Sequence, residues 1–79
     1  MTITVKLHTT LKKFAPEDWK GGASTMEVPD GAVPRTVVEA LGIPEDFVGA
    51  VFLGSQRGEL DDPLSEGCEL NIIAPIGGG

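Results

Sequence analysis

Cysteine is almost missing from this chain. Cys68 stands alone, which excludes an intramolecular disulfide and any zinc site built from clustered cysteines. Histidine is equally sparse: His8 is the only one, with no partners in the sequence for a catalytic triad or a metal site. Basic residues are few, 6 Lys and Arg against 12 Asp and Glu, for a formal charge of −6 and a pI near 4.5. Such a surface repels phosphate backbones and anionic lipid, so neither nucleic acid nor a membrane is an expected partner, and a basic protein surface is. No apolar run approaches the roughly 18 residues that span a bilayer. The opening Met-Thr-Ile-Thr-Val-Lys has no basic segment ahead of an apolar core, so no signal peptide is expected and the expected location is the cytoplasm. No glycine-rich phosphate loop precedes a helix, and no bound cofactor is expected.

What remains is a small globular domain. The 79 residues are 41% apolar and 23% charged, an ordinary composition for one domain near the lower size limit of an unaided core. Stability should be about 4–12 kcal/mol by the usual scaling with length. The acids are dispersed (Glu17, Asp18, Glu45, Asp46, Asp61, Asp62), in keeping with a general role in solubility. Asp61 and Asp62 also sit beside Pro63, where they suit a turn.

Hydrophobic periodicity orders the chain. Ile3, Val5 and Leu7 alternate with Thr2, Thr4, Lys6 and His8, the period of a half-buried strand. Thr9 to Gly22 reads as a long connection in which Leu11 and Phe14 fold back over the core and Pro16 breaks any helix. Trp19 fits either a core or an exposed contact. Ser24 to Val28 reads as a second strand with Met26 and Val28 on one face, making an antiparallel hairpin with the first, and Pro29-Asp30-Gly31 stops it. Pro34 to Leu41 has helical spacing at Val37, Val38 and Leu41, with Pro at the first position and a stop at Gly42-Ile43-Pro44. Val33 offers no capping side chain, so this helix depends on packing. Val48 to Leu53, apolar on both faces, reads as a central strand. Gln56 to Leu60 reads as a short edge strand, and Leu64 as a core plug. The last strand runs from Cys68 or Glu69 to Ala74. Leu70, Ile72 and Ala74 face one way there, and Glu69, Asn71, Ile73 and Pro75 the other. The order predicts an α+β fold, a mixed sheet of four or five strands packed on one helix. Residues 1–76 form that domain.

The chain closes on Gly77-Gly78-Gly79. At ordinary glycine usage three in a row at a fixed place arise by chance roughly 3 times in 10,000. Such a segment has no side chains to pack and loses the most backbone entropy on ordering, so a flexible tail is expected over 77–79. It is a thin thread ending in a carboxylate, shaped to enter a narrow site.

These stretches resemble the small sulfur carriers of molybdopterin and thiamine biosynthesis, the MoaD/ThiS family. The resemblance rests on the opening Ile3-Thr-Val-Lys-Leu7 with Leu11 and Phe14, and on Arg35-Thr-Val-Val-Glu-Ala-Leu-Gly-Ile-Pro44. It continues through Ala50-Val-Phe-Leu-Gly54 and through Asp62 to Leu70, which leads into the final strand and the glycines. The most specific element is Leu64-x-x-Gly67-x-Glu69-Leu70 followed by a strand and Gly-Gly. The resemblance implies a ubiquitin-like β-grasp, with first and last strands adjacent in mid-sheet and the C-terminus leaving from the sheet's edge. It implies a carrier, and no catalysis by the chain itself. An E1-like adenylyltransferase would use Mg-ATP to adenylate Gly79. A sulfur donor such as cysteine desulfurase would then convert it to a thiocarboxylate for the large subunit of molybdopterin synthase. Length favours that branch, although the Ile-Gly-Gly-Gly ending leans towards thiazole synthase as the acceptor. Conjugation of Gly79 to a target lysine, as a protein modifier, is a further alternative. The family docks its partners through an outward apolar patch. By position this implies Ile73, extended by Pro75 and Ile76, with His8 and Arg57 as more polar neighbours than the family usually shows. Cys68 stands where the family usually has Asp, and is expected to be a buried small hydrophobe.

Overall fold

The computed structural model describes residues 1–75. Five strands, β1 (Thr2–Leu7), β2 (Ala23–Glu27), β3 (Ala50–Leu53), β4 (Gln56–Gly58) and β5 (Glu69–Ile73), and one helix, α1 (Pro34–Ala40), make up the regular structure. The strands form a single sheet of order β2-β1-β5-β3-β4. β1 runs antiparallel to β2 and parallel to β5, while β3 is antiparallel to both β4 and β5. Parallel neighbours cannot be joined by a tight turn and need a long crossover. Here the chain between β1 and β5 carries α1 and the other three strands.

The alternation in β1 does what its period requires. Ile3, Val5 and Leu7 are buried on one face, opposite Met26, Ser24 and the β5 residues Leu70 and Ile72. Val51 of β3 pairs with Ile72 on that same face. Val37 and Val38 of α1, Leu11, Ile43 and Leu64 complete the core. Helix α1 has no capping side chain at Val33, as the sequence indicated. Thr36 supplies half a capping box by accepting the Val33 N–H at 3.2 Å. At the other end Gly42 takes φ 73°, and Gly42 and Ile43 donate to the carbonyls of Glu39 and Val38 at 3.1 and 3.0 Å. That is a Schellman closure. At seven residues the helix is too short to persist alone, so its buried valines hold it.

Some expectations change and others hold. The strand read over 48–53 begins only at Ala50, after a 3-10 turn at Glu45–Phe47. It is fourth in the sheet rather than central, because β5 takes the middle position. The chain therefore leaves from the end of the central strand and not from the sheet's edge. The 9–22 connection contains a 3-10 turn over Thr9–Phe14 that places Leu11 in the core, while Phe14 and Trp19 are half-buried against it. Asp62 accepts the Glu59 N–H at 2.8 Å, the expected turn role, whereas Asp61 instead takes a bidentate contact from Arg35 at 3.1 and 3.2 Å. Cys68 is half-buried against the core. The whole is a ubiquitin-like β-grasp: a mixed five-stranded sheet on one helix.

Candidate functional site

The face of the sheet away from α1 is built by strand parity. With Val51, Leu70 and Ile72 committed to the core, Ala50, Phe52, Asn71 and Ile73 must point outward. The register places Ala50 beside Ile73 and Phe52 beside Asn71, and on the other side Phe52 beside Arg57. The result is a shallow groove of about 470 Å³ lined by these outward residues of β3, β4 and β5, except Asn71, together with Gly49, Ala74 and Pro75.

Three of the residues assigned to docking on the sequence, Ile73, Pro75 and Arg57, share this groove. Ile73 is half-buried, and Pro75 and Arg57 are exposed. Arg57 has no ion-pair partner among the described residues. His8 lies apart from the groove lining. Its Nε2 is 2.9 Å from the Asn71 side-chain oxygen, and its backbone N–H donates to Ile72 at 3.2 Å. The Asn71 amide donates to Glu69 at 3.0 Å, which leaves its oxygen to accept and requires His8 Nε2 to carry the proton. Asn71 is thus buried on the outer face by its polar neighbours. The Asn71 amide, and then Lys6 at 3.3 Å, hold the Glu69 carboxyl below the usual carboxylate range. Ile76, Gly77, Gly78 and Gly79 lie outside the described residues.

Sequence reasoning missed Phe52 and Ala50 as members of the groove, and Gly49 at its rim. The signal was present in part. Once Val51 is assigned to the core, parity sends Phe52 outward, but only the β3–β5 register shows that it stands near Ile73. Asn71 gave no sequence signal for burial.

Gly49 is where the final strand is released. Its N–H donates to the Ile73 carbonyl at 2.8 Å. A Cβ at this position would lie 2.5 Å from the Pro75 Cα, 2.7 Å from its nitrogen and 2.9 Å from the Ala74 carbonyl carbon. The backbone of Ala74–Pro75 therefore lies directly on Gly49, in space that any side chain would fill. Among the described residues no cluster of three or more His, Cys, Asp or Glu is placed to hold a metal, and no helix is long and apolar enough to cross a membrane. The groove has the chemistry of a binding surface, apolar with one cation, and presents no nucleophile or acid–base pair.

No protein-family model matches the chain, and no curated protein is significantly similar to it. Solved structures do resemble it. One, from Pyrococcus furiosus, is assigned as molybdopterin converting factor subunit 1. It is 18% identical with a TM-score of 0.71, over 96% of this chain and 99% of that one. A crystal structure of SAMP1 from Haloferax volcanii is 19% identical with a TM-score of 0.71 over the whole of both chains. A second structure of that small archaeal modifier protein is 18% identical with a TM-score of 0.71, over 95% of this chain and 98% of that one. At such identities the shared property is architecture: the chain has the ubiquitin-like β-grasp fold found in these proteins.

Proposed function

We propose that this protein is a sulfur carrier whose reactive group is the Gly79 carboxylate. An E1-like adenylyltransferase binds the sheet face, and Mg-ATP on that enzyme converts the carboxylate to an acyl-adenylate with release of pyrophosphate. Sulfur from a persulfide, supplied by a donor such as cysteine desulfurase, then displaces AMP, and reduction of the resulting acyl disulfide by a thiol leaves a thiocarboxylate. The carrier delivers this sulfur to a pterin precursor held by the large subunit of molybdopterin synthase, in the cytoplasm. ATP and Mg are substrates of the partner.

The observation that supports this reading is the junction of β5 with the groove. A strand held between β1 and β3 ends in Ala74-Pro75 beside an apolar surface on a β-grasp sheet, and the sequence continues with Ile76-Gly77-Gly78-Gly79. Glycine is the residue such a role requires. A channel that admits backbone alone excludes side chains, and glycine accepts whatever φ and ψ the channel imposes. Adenylation supplies the leaving group that a carboxylate lacks. The net charge of −6 fits a basic partner surface.

The test is ATP–pyrophosphate exchange by the adenylyltransferase of the same genome. The full chain supports exchange, and the chain lacking Gly79 does not. Equal exchange by both would refute the carrier reading. A second reading, a protein modifier joined through Gly79 to lysines, draws on the likeness to the small archaeal modifier protein. It predicts the same exchange followed by higher-mass conjugates, which a sulfur carrier does not form.

A further inference from the structure

We infer that Gly49 is a positioning residue: the absence of a side chain there sets the direction in which the tail leaves the sheet. The inference rests on the carrier reading above, and goes beyond it in locating the control of tail direction in a residue outside the tail.

Two contacts define the device. The Gly49 N–H holds the Ile73 carbonyl at 2.8 Å, which fixes the end of β5. The next two residues then pass over Gly49 so closely that a Cβ would meet three backbone atoms at 2.5–2.9 Å. Backbone cannot swing aside as the end of a long side chain does. To restore an ordinary carbon–carbon separation, the Ala74–Pro75 segment must move by about 1 Å. Pro75 leaves little freedom to absorb that shift, since its ring fixes its own φ and restricts the residue before it. Gly49 itself does not have a left-handed φ, so alanine is conformationally acceptable there. Its only local requirement for glycine is the space that Ala74–Pro75 occupies.

A displacement at the base of a short thread moves the point from which it must reach the partner's active site. The reacting carboxylate follows only four residues after Pro75, and a misplacement of about 1 Å remote from the chemistry can lower a rate by up to about 100-fold. Of the groove residues, Ala74 and Pro75 meet a methyl group at Gly49, whereas Phe52, Arg57 and Ile73 are not among the atoms it meets. Docking is therefore disturbed at one end of the groove only.

The experiment compares full-length wild type, Gly49→Ala, and Gly49→Ala with Pro75→Gly in ATP–pyrophosphate exchange with the adenylyltransferase of the same genome. The kcat of exchange should fall at least about tenfold in Gly49→Ala, with the KM for the carrier changed by a smaller factor, since only the Ala74–Pro75 end of the groove is displaced. The double variant should recover most of the kcat, because glycine at 75 frees the chain to step around the methyl group, while loss of the Pro75 docking contact falls on KM. Thermal unfolding of each variant reports whether the domain remains folded. A folded Gly49→Ala protein with wild-type kcat overturns the inference, as does a loss carried by KM alone or one that Pro75→Gly leaves unrelieved. If Gly49→Ala fails to fold, Gly49 is structural and the inference is likewise overturned. Failure of the wild type to support exchange instead refutes the carrier reading, so the two outcomes are distinct.

Discussion

Ile72 and Ile73 are neighbours in sequence with opposite roles, and the distinction is testable at a single residue. Ile72 is fully buried between Leu7 and Val51. Truncation to alanine should cost about 2–4 kcal/mol, a cavity-forming loss and a large share of the stability of a domain this size. Urea unfolding measures it. Ile73 points to the outer face and is half-buried beside Ala50. Ile73→Asp should leave the unfolding midpoint nearly unchanged, since its carboxylate can remain hydrated. It should weaken carrier binding to the adenylyltransferase by at least about tenfold, as expected when a charge enters an apolar contact without a partner. Unfolding of Ile73→Asp would show that the residue belongs to the core. Asn71, between them, shows why sheet faces are not simply apolar or polar. It is buried on the outer side because His8, Glu69 and the Gly54 carbonyl surround its amide.

At the scale of elements, α1 is the least self-sufficient piece. Its first turn is secured by Pro34 and by the Thr36 hydroxyl, which accepts from Val33. Thr36→Ala should destabilise the domain by about 0.5–1 kcal/mol through loss of that cap, visible as a lower thermal midpoint. This helix was legible in sequence because Pro34 and Gly42 mark its ends and Val37 and Val38 mark its buried face. β1 was legible by alternation alone. Other features depended on contacts remote in the chain. The close passage of Ala74–Pro75 over Gly49, just before β3 begins, is a contact across 25 or more residues that no local pattern carries. Thr9 adopts φ 54° although it is β-branched, a conformation set by the 3-10 turn that buries Leu11 and not by any preference of threonine. Of the groove, Ile73 was readable from strand parity, and Arg57 only through the family resemblance. Phe52 required the register between β3 and β5.

For the whole molecule, the distribution of charge makes stability depend on pH in a stated direction. Arg35 holds the Asp61 carboxyl low, and Asn71 with Lys6 holds Glu69 low. A carboxyl whose pKa is lowered by folding stabilises the native state fully above its ordinary value near pH 4, and loses that contribution as pH falls through the lower native value. Both groups are solvent-exposed, so each effect is modest. Arg35→Gln should flatten the acid limb of the stability profile below about pH 4, as measured by urea titrations at successive pH values. The outer face combines the Lys6–Glu69 pair with an apolar groove, and the central strand ends in Ala74-Pro75 at that groove, four residues before Gly79 in the sequence. In the function proposed, the fold presents the Gly79 carboxyl carbon for sulfur activation. The most direct measurement is the intact mass of the full chain after incubation with the adenylyltransferase, Mg-ATP, a persulfide donor and a thiol reductant. A gain of about 16 Da, from one oxygen replaced by sulfur and lost when Gly79 is deleted, is the predicted result. An unchanged mass with ATP consumed, or a ladder of conjugates in place of the 16 Da species, would contradict it.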